Sequence, residues 1–458
     1  MANCPWQDED GHLFPIVNRK SEIDMTQQGS ANSSPDGRQI LVGLDIGTSK
    51  VCAIVAARDE DGAGGIHVLG IGHAPSEGLN RGVVVNIEKT VRSIQRAVEG
   101  AQQQSGVIIE SVSVGIAGDH IQSFPSRGVV TISNPDRVVT QHDVNRLLDD
   151  SKRVAMPSDR QILHVIPQEY IIDGQDGIFD PVGMSGLRME ANVHIVTGLV
   201  TAAQNIYRCV ERAGLVVEDI VLEPLASGYS VLDEEEKEVG VALIDIGGGT
   251  TDIAIFEDKT IRHTAVVGIA GRMVTDDIRR GLGIIGEQAE RIKREYGSAL
   301  ETMILNDEVF MIPGIGGRKP MEISKRTLCQ IIQPRMEEIL EFAMIELKKS
   351  GYLRRLSAGV VLTGGGALLR GSAELAQSVL GMPVKIGIPA GFGGAALAPE
   401  VESPVYATAV GLVIDAFRRS EAPAPAAEPA ATDYADETHE MRQKKSIVAR
   451  MKKFFEEF

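Results

Sequence analysis

The chain has 458 residues, 43% of them hydrophobic and 24% charged, with a net charge of −17. That length exceeds a single hydrophobic core, so two or more domains are expected, and the acidic balance argues against a general nucleic-acid binder. Four dispersed cysteines (Cys4, Cys52, Cys209, Cys329) and nine scattered histidines form no disulfide framework or metal-ligand spacing, as expected in a reducing compartment.

Residues 1–38 are polar and poor in aliphatic side chains, which predicts a disordered leader with no signal-peptide core. From Gln39 the pattern changes. "QILVGLDIG" reads as a strand, "TSK" as a turn, and "KVCAIVAARD" as a second strand; "IHVLGIGHA" is a third strand after the turn "EDGAGG". A helix is predicted from about Glu88, with Val91, Ile94 and Val98 on one face, followed by the strand "SVSVGIAG". Residues 119–195 are too long for a loop and predict an inserted subdomain. It divides the first lobe's core into residues 39–118 and 196–232. "DEEEKE" reads as a solvated turn.

The opening grammar then returns: "VGVALIDIG" is a strand, "GGTTD" a turn, and "DIAIFEDKTIRHTAVVG" two further strands, followed by a helix near Gly271. One strand–turn–strand unit is thus stated twice, about 200 residues apart, which predicts two α/β lobes facing each other. The second lobe's core is expected over 233–270 and 337–400, interrupted by a mostly helical insertion over 271–336. "GVVLTGGGALLRG" is another strand and Gly-rich turn, and residues 401–420 complete the body. Residues 421–440 are an Ala/Pro-rich acidic spacer. In 441–458, Ile447, Val448, Met451, Phe454, Phe455 and Phe458 fall on one helical stripe opposite Arg442, Lys444, Lys445, Arg450, Lys452 and Lys453. In an acidic protein, such a basic amphipathic helix on a flexible spacer reads as a reversible anchor on an anionic membrane surface; its alternative is docking on the protein's own body. No stretch approaches the ~18 apolar residues of a membrane span, so any membrane contact is expected to be peripheral.

The turns carry chemistry. Glycine lets a backbone approach a ligand closely, exposed turn amides suit phosphate oxygens, and a strand-end aspartate can hold Mg²⁺ through water. The ordered set "LDIGTSK", "LEPLASGYSVL", "IDIGGGTTD", "LTGGGALLRG" and "YATAVGLVI" resembles the phosphate 1, connect 1, phosphate 2, adenosine and connect 2 motifs of the actin/Hsp70/sugar-kinase superfamily. The resemblance spans about Gln39 to Asp415. It implies a two-lobed actin-like (ribonuclease H-like) α/β ATPase fold with inserted subdomains, and ATP with Mg²⁺ as ligands. It further implies that Asp45, Gly47, Thr48 and Ser49 hold phosphates from the first lobe and Gly247, Gly248, Gly249 and Thr250 from the second. Asp45 and Asp245 would flank the metal, with Gly364, Gly365 and Gly366 lying flat against adenosine. Lys50 either reaches a phosphate or points outward from its strand. Glu287, Glu290 and Lys293 in "GEQAERIK" are either ribose and adenine contacts or a solvated helix face. Glu223 matches the position that orients the attacking water, its alternative being a helix N-cap.

The inserted string "PQEYIIDGQDGIFDPVGMSGLRMEANVHIVTG" is more specific, and strongly resembles the FtsA family of bacterial cell-division proteins. That resemblance implies an ATP-binding protein, at most a slow ATPase, that polymerises into protofilaments. Such a protein tethers the FtsZ ring to the cytoplasmic face of the inner membrane at the division site and recruits later division proteins. The FtsZ C-terminal tail would meet Arg335 and Glu338 in "IIQPRMEEILEFA"; as i, i+3 neighbours these could equally form an intrahelical ion pair. Two features depart from the family pattern: the long leader, and Arg272 and Met273 in the loop near the nucleotide. The rivals are an actin-like pilus-assembly scaffold and a sugar kinase on the same core. An Hsp70-type chaperone is not expected, because about 45 residues after connect 2 are too few for a peptide-binding domain.

Overall fold

The run Ile40–Ile46 is buried at every position, which requires a strand covered on both faces. It folds back through Gly47–Ser49 into Lys50–Arg58, setting Asp45 opposite Cys52 and Ile46 opposite Val51. A computed structural model describes residues 39–58, 65–314, 319–390 and 398–421. The expected leader, the "EDGAGG" turn up to Gly64, nearly all of the acidic spacer and the stripe from Ile447 to Phe458 lie outside these residues.

The first five-stranded sheet runs in the order Val216–Leu222, Ser111–Ile116, Ile40–Ile46, Lys50–Arg58, Ile66–Pro75. Its last three strands are an antiparallel meander, and its first two join parallel. The helix Ile87–Ser105 covers it, started by Asn86, whose side chain accepts from the Lys89 amide at 3.0 Å, and ended at Gly106. Val91, Ile94 and Val98 are on its buried face.

The second five-stranded sheet has the same plan: Val384–Ile386, Val360–Thr363, Val241–Ile246, Thr251–Glu257, Thr260–Val267. Again three strands form an antiparallel meander and two add in parallel. The repeated sequence unit is therefore a repeated topology. Its core joins Ile244, Ile253 and Ile255 of the sheet to Val274, Ile278, Ile332, Met336 and Ile339 of the helices Gly271–Leu282 and Lys325–Lys349. The mostly helical insertion also contains a small antiparallel pair, Val309–Ile312 with Met321–Ser324.

"DEEEKE" is not a turn. Glu234–Val239 is a short helix, closed by a capping box between Asp233 and Glu236. Lys237 folds inward to pair with Glu234 at 2.9 Å, which explains how so acidic a run holds helical form.

Residues 124–156 and 164–195, together with residues 415–421, group as a separate unit. Its four-stranded sheet has the order Gln122–Thr131, Arg188–Leu199, Arg160–Ile172, Gln175–Ile178. The helix Gln141–Ser151 is capped by Thr140 and Asp143. Buried Glu190 pairs with both Arg127 and Arg188, so its charge is compensated, as burial demands.

Candidate nucleotide cleft

The two glycine turns meet. A β-carbon on Gly248 would lie 1.9 Å from Ser49 Oγ, and one on Gly249 would lie 2.4 Å from Thr48 Oγ1. Only glycine tolerates that approach. Gly47 and Gly247 occupy the same place in each turn, each packed against a carbonyl three residues on, that of Lys50 or Thr250. The backbone amides of Gly271 and Arg272, at a helix start, donate to the carbonyls of Gly247 and Gly248 at 3.1 and 2.8 Å. Arg272 and Met273 thus belong to the helix that braces the second turn.

Beneath the turns sits an acidic cluster. Asp45 and Asp245 end equivalent strands, Asp252 lies directly across the register from Asp245, and Glu223 opens the helix Glu223–Val231 beside Gly115. Burial, then the charges of Asp45, Asp252 and Asp245, hold the Glu223 carboxyl well above the usual range, with Lys50 opposing. Burial raises Asp45 likewise, against the pull of Lys50. Asp245 is pushed up to about 6 by burial, moderated by Ser227, and Asp252 to about 8 by burial and the neighbouring Asp245. Such mutual perturbation within one cleft marks functional sites. Glu223 makes no side-chain capping bond, so its carboxylate is left to the cluster.

Lys50 does not point away from its strand. Its Nζ lies 3.9 Å from Asp45 Oδ2 and 4.3 Å from the centre of the Tyr406 ring, buried without a hydrogen bond. Ser227 Oγ donates to Asp245 Oδ2 at 2.9 Å, and Thr408 Oγ1 to the same oxygen at 3.5 Å. The expected set thus omitted Asp252, Ser227, Thr408 and Tyr406. Each stood inside a quoted motif; the missing signal was register and helix crossing.

The third turn closes the far side. Gly364 has φ +82, and its missing β-carbon leaves room for Asp245 Oδ1 at 2.2 Å; Gly366 packs on Ile246, and Gly365 is open. Thr275 and Lys293 hold Glu290, with Lys293 Nζ at 2.6 Å. Lys293 also donates to the Gly271 carbonyl at 3.0 Å, next to the second turn. Burial works to lower Lys293; burial would raise Glu290, but the charge and hydrogen bond of Lys293 together with the hydrogen bonds from Thr275 and Arg294 outweigh it, so its carboxyl is lowered. Glu287 is exposed at the start of that helix. These two are therefore a fixed ion pair rather than a free helix face.

Among the described residues no three His, Cys, Asp or Glu side chains converge as a metal's ligand set. Asp45 and Asp245 nevertheless suit a hard divalent cation that takes most of its ligands from water and phosphate, because among the described residues Lys50 is the one cation that offsets their buried charges.

Arg335, away from this cleft, bonds Asp277 from Nε at 2.6 Å and Nη2 at 3.3 Å, and also pairs with Glu338. The intrahelical pair is thus present, extended across to the neighbouring helix. Among the described residues no helix is long and apolar enough to cross a membrane.

Two lobes of one topology, meeting through facing glycine turns over strand-end aspartates, define an actin-like ATPase fold. A solved structure titled "PilM-PilN type IV pilus biogenesis complex" shares that fold, with a TM-score of 0.59 at 18% identity over 82% of this chain and 98% of that one. The family profile described as "Cell division protein FtsA" matches residues 242–411, and "SHS2 domain inserted in FTSA" matches 118–197. Cell division protein FtsA of Pseudomonas aeruginosa is 50% identical over 83% of this chain and 90% of its own length. Those of Escherichia coli K12 and Bacillus subtilis are 42% and 38% identical, over 82% and 84% of this chain and 90% and 85% of theirs. The chain belongs to the FtsA family of cell division proteins.

Proposed function

We propose that this division protein clasps ATP·Mg²⁺ between its lobes, assembles into protofilaments, and moors the FtsZ ring to the cytoplasmic face of the membrane at the division site, where later division proteins join. The observation that carries the nucleotide reading is the contact of the two glycine turns above Asp45 and Asp245. Amides of residues 47–49 and 247–250 would take phosphate oxygens. The ion would supply charge neutralisation, held by Asp45 and Asp245 through water. Open Gly365, with exposed Leu368 beside it, suits the flat face of adenine, and Lys293 and Glu290 suit the ribose side. Glu223 would orient the attacking water; with so little covalent chemistry left to the protein, turnover is slow. Arg335 and Glu338 would receive the FtsZ tail, exchanging internal ion pairs for ones to the peptide. The apolar stripe from Ile447 to Phe458, flanked by Arg442, Lys444, Lys445, Arg450, Lys452 and Lys453, would lie on anionic lipid.

Calorimetry with ATP·Mg²⁺, run on the wild type and Glu223→Ala, tests the cleft. Both should bind with affinities within a few-fold, while hydrolysis by the variant drops about a hundredfold. A wild type that ignores adenine nucleotides would remove the cleft assignment, and unchanged turnover would remove Glu223 from its role.

A further inference from the structure

The hairpin Leu79–Asn80/Val83–Val84 turns through Arg81 and Gly82, with φ +49 and +76. A two-residue turn with both φ values positive asks for Asn, Asp or Gly at its first position. Arginine there is strained, so turn geometry does not account for it. What surrounds it does. The Gly82 amide donates to Thr48 Oγ1 at 3.1 Å, clipping the hairpin to the first glycine turn. A β-carbon on Gly82 would lie 2.5 Å from the Ala117 carbonyl, so the hairpin tip has no slack and must follow Thr48.

The Arg81 side chain reaches the other lobe. Its Cδ and Nη1 come within 3.4 and 3.7 Å of the place where a Gly268 β-carbon would stand. Gly268 leads into the helix whose first amides hold the carbonyls of Gly247 and Gly248. A continuous path therefore runs from Thr48 through Gly82 and Arg81 to Gly268, and back to the second glycine turn. The Arg81 guanidinium is exposed, and no ion pair or hydrogen bond holds it among the described residues.

We propose that Arg81 is a positioning residue that makes lobe closure depend on the terminal phosphate of the bound nucleotide. A phosphate on the first turn recruits the Thr48 hydroxyl. The Gly82 amide transmits that shift to the hairpin, which seats the unpaired guanidinium against the Gly268 segment and the added negative charge. A nucleotide lacking the terminal phosphate leaves the cation only the Asp119 carboxylate, whose Oδ2 stands 3.7 Å from the same Gly268 position. This rests on the nucleotide reading above and specifies which part of the ligand is read.

The test uses the full-length protein and its variants Arg81→Ala, Arg81→Gly and Arg81→Lys, titrated with ATP·Mg²⁺ and ADP·Mg²⁺ by calorimetry. The ratio of ATP to ADP affinity should fall about tenfold in Arg81→Ala and Arg81→Gly, and Arg81→Lys should keep most of it. Arg81→Gly should melt no lower than wild type, because glycine removes the backbone strain; a purely structural role would leave the ratio untouched. Variants that retain the wild-type ratio, or a wild type that binds both nucleotides equally, overturn the Arg81 role and leave the cleft reading standing. A wild type that binds neither takes both down.

Discussion

At the scale of single residues, the cleft is a place where buried carboxyl groups oppose stability. The folded Asp252 carboxyl keeps its proton up to about pH 8, whereas an unfolded aspartate loses it near ~3.9. Between those values the folded state binds more protons than the unfolded one, so this group's contribution falls as pH rises. Asp252→Asn, which keeps the acceptor for Thr250 Oγ1 and removes the charge, should stabilise the protein. The gain should be about 1–3 kcal/mol at pH 8 and smaller at pH 5, at the expense of ATP turnover. Thermal melts at both pH values decide this; an equal gain at each would mean the carboxyl is not the cause. Arg335 presents the opposite case, a cation already paired twice within the protein. Arg335→Glu would set a third carboxylate beside Asp277 and Glu338, and should weaken capture of an FtsZ tail peptide at least tenfold. Pull-down with that peptide tests it, and undiminished capture would place the tail elsewhere.

At the scale of elements, the helices Glu223–Val231 and Ala407–Glu421 cross where a β-carbon on Gly411 would lie 1.8 Å from the Ala226 carbonyl. That crossing brings Ser227 and Thr408 onto Asp245 and Tyr406 onto Lys50. It therefore wires the joints between the lobes to the acidic cluster. Gly411→Leu should push the helices apart, cost about 3 kcal/mol, and weaken nucleotide binding although no phosphate contact is touched. A melt and a titration on one sample check both effects; a folded variant with native affinity would show that the crossing does not position the cluster. Strands and turns were legible along the chain because unbroken apolar runs ending in Asp-x-Gly announce themselves locally. The cluster's other members were not. Asp252 faces Asp245 only through antiparallel register, and Ser227 and Thr408, 181 residues apart, meet only through helix packing.

At the scale of the whole molecule, a net charge of −17 opposes approach to an anionic surface, so the proposed attachment would fall to the basic and apolar residues of 441–458. Six basic side chains and the apolar residues from Ile447 to Phe458 would supply attraction that salt screens and burial that it does not. Deleting Arg442–Phe458 should abolish co-sedimentation with anionic vesicles. In the intact protein, raising salt should weaken binding without eliminating it. ATP should strengthen it, because the proposed polymers would present many such segments at once. Retention of the truncated chain on vesicles would refute the anchor.

Read alone, the chain determined its own repeat: two α/β units, each a strand, a glycine turn and a strand, with a long insertion after the first. Those features are written in local periodicity and in residues whose backbone freedom nothing else supplies, so they survive without knowledge of the fold. Only the tertiary structure decided which groups share the cleft. It turned Lys50 inward onto Tyr406, added Asp252 to the acidic cluster, bound Glu290 to Lys293 and carried Arg81 across to Gly268. Contacts between distant segments depend on register and packing, which no stretch of sequence records by itself.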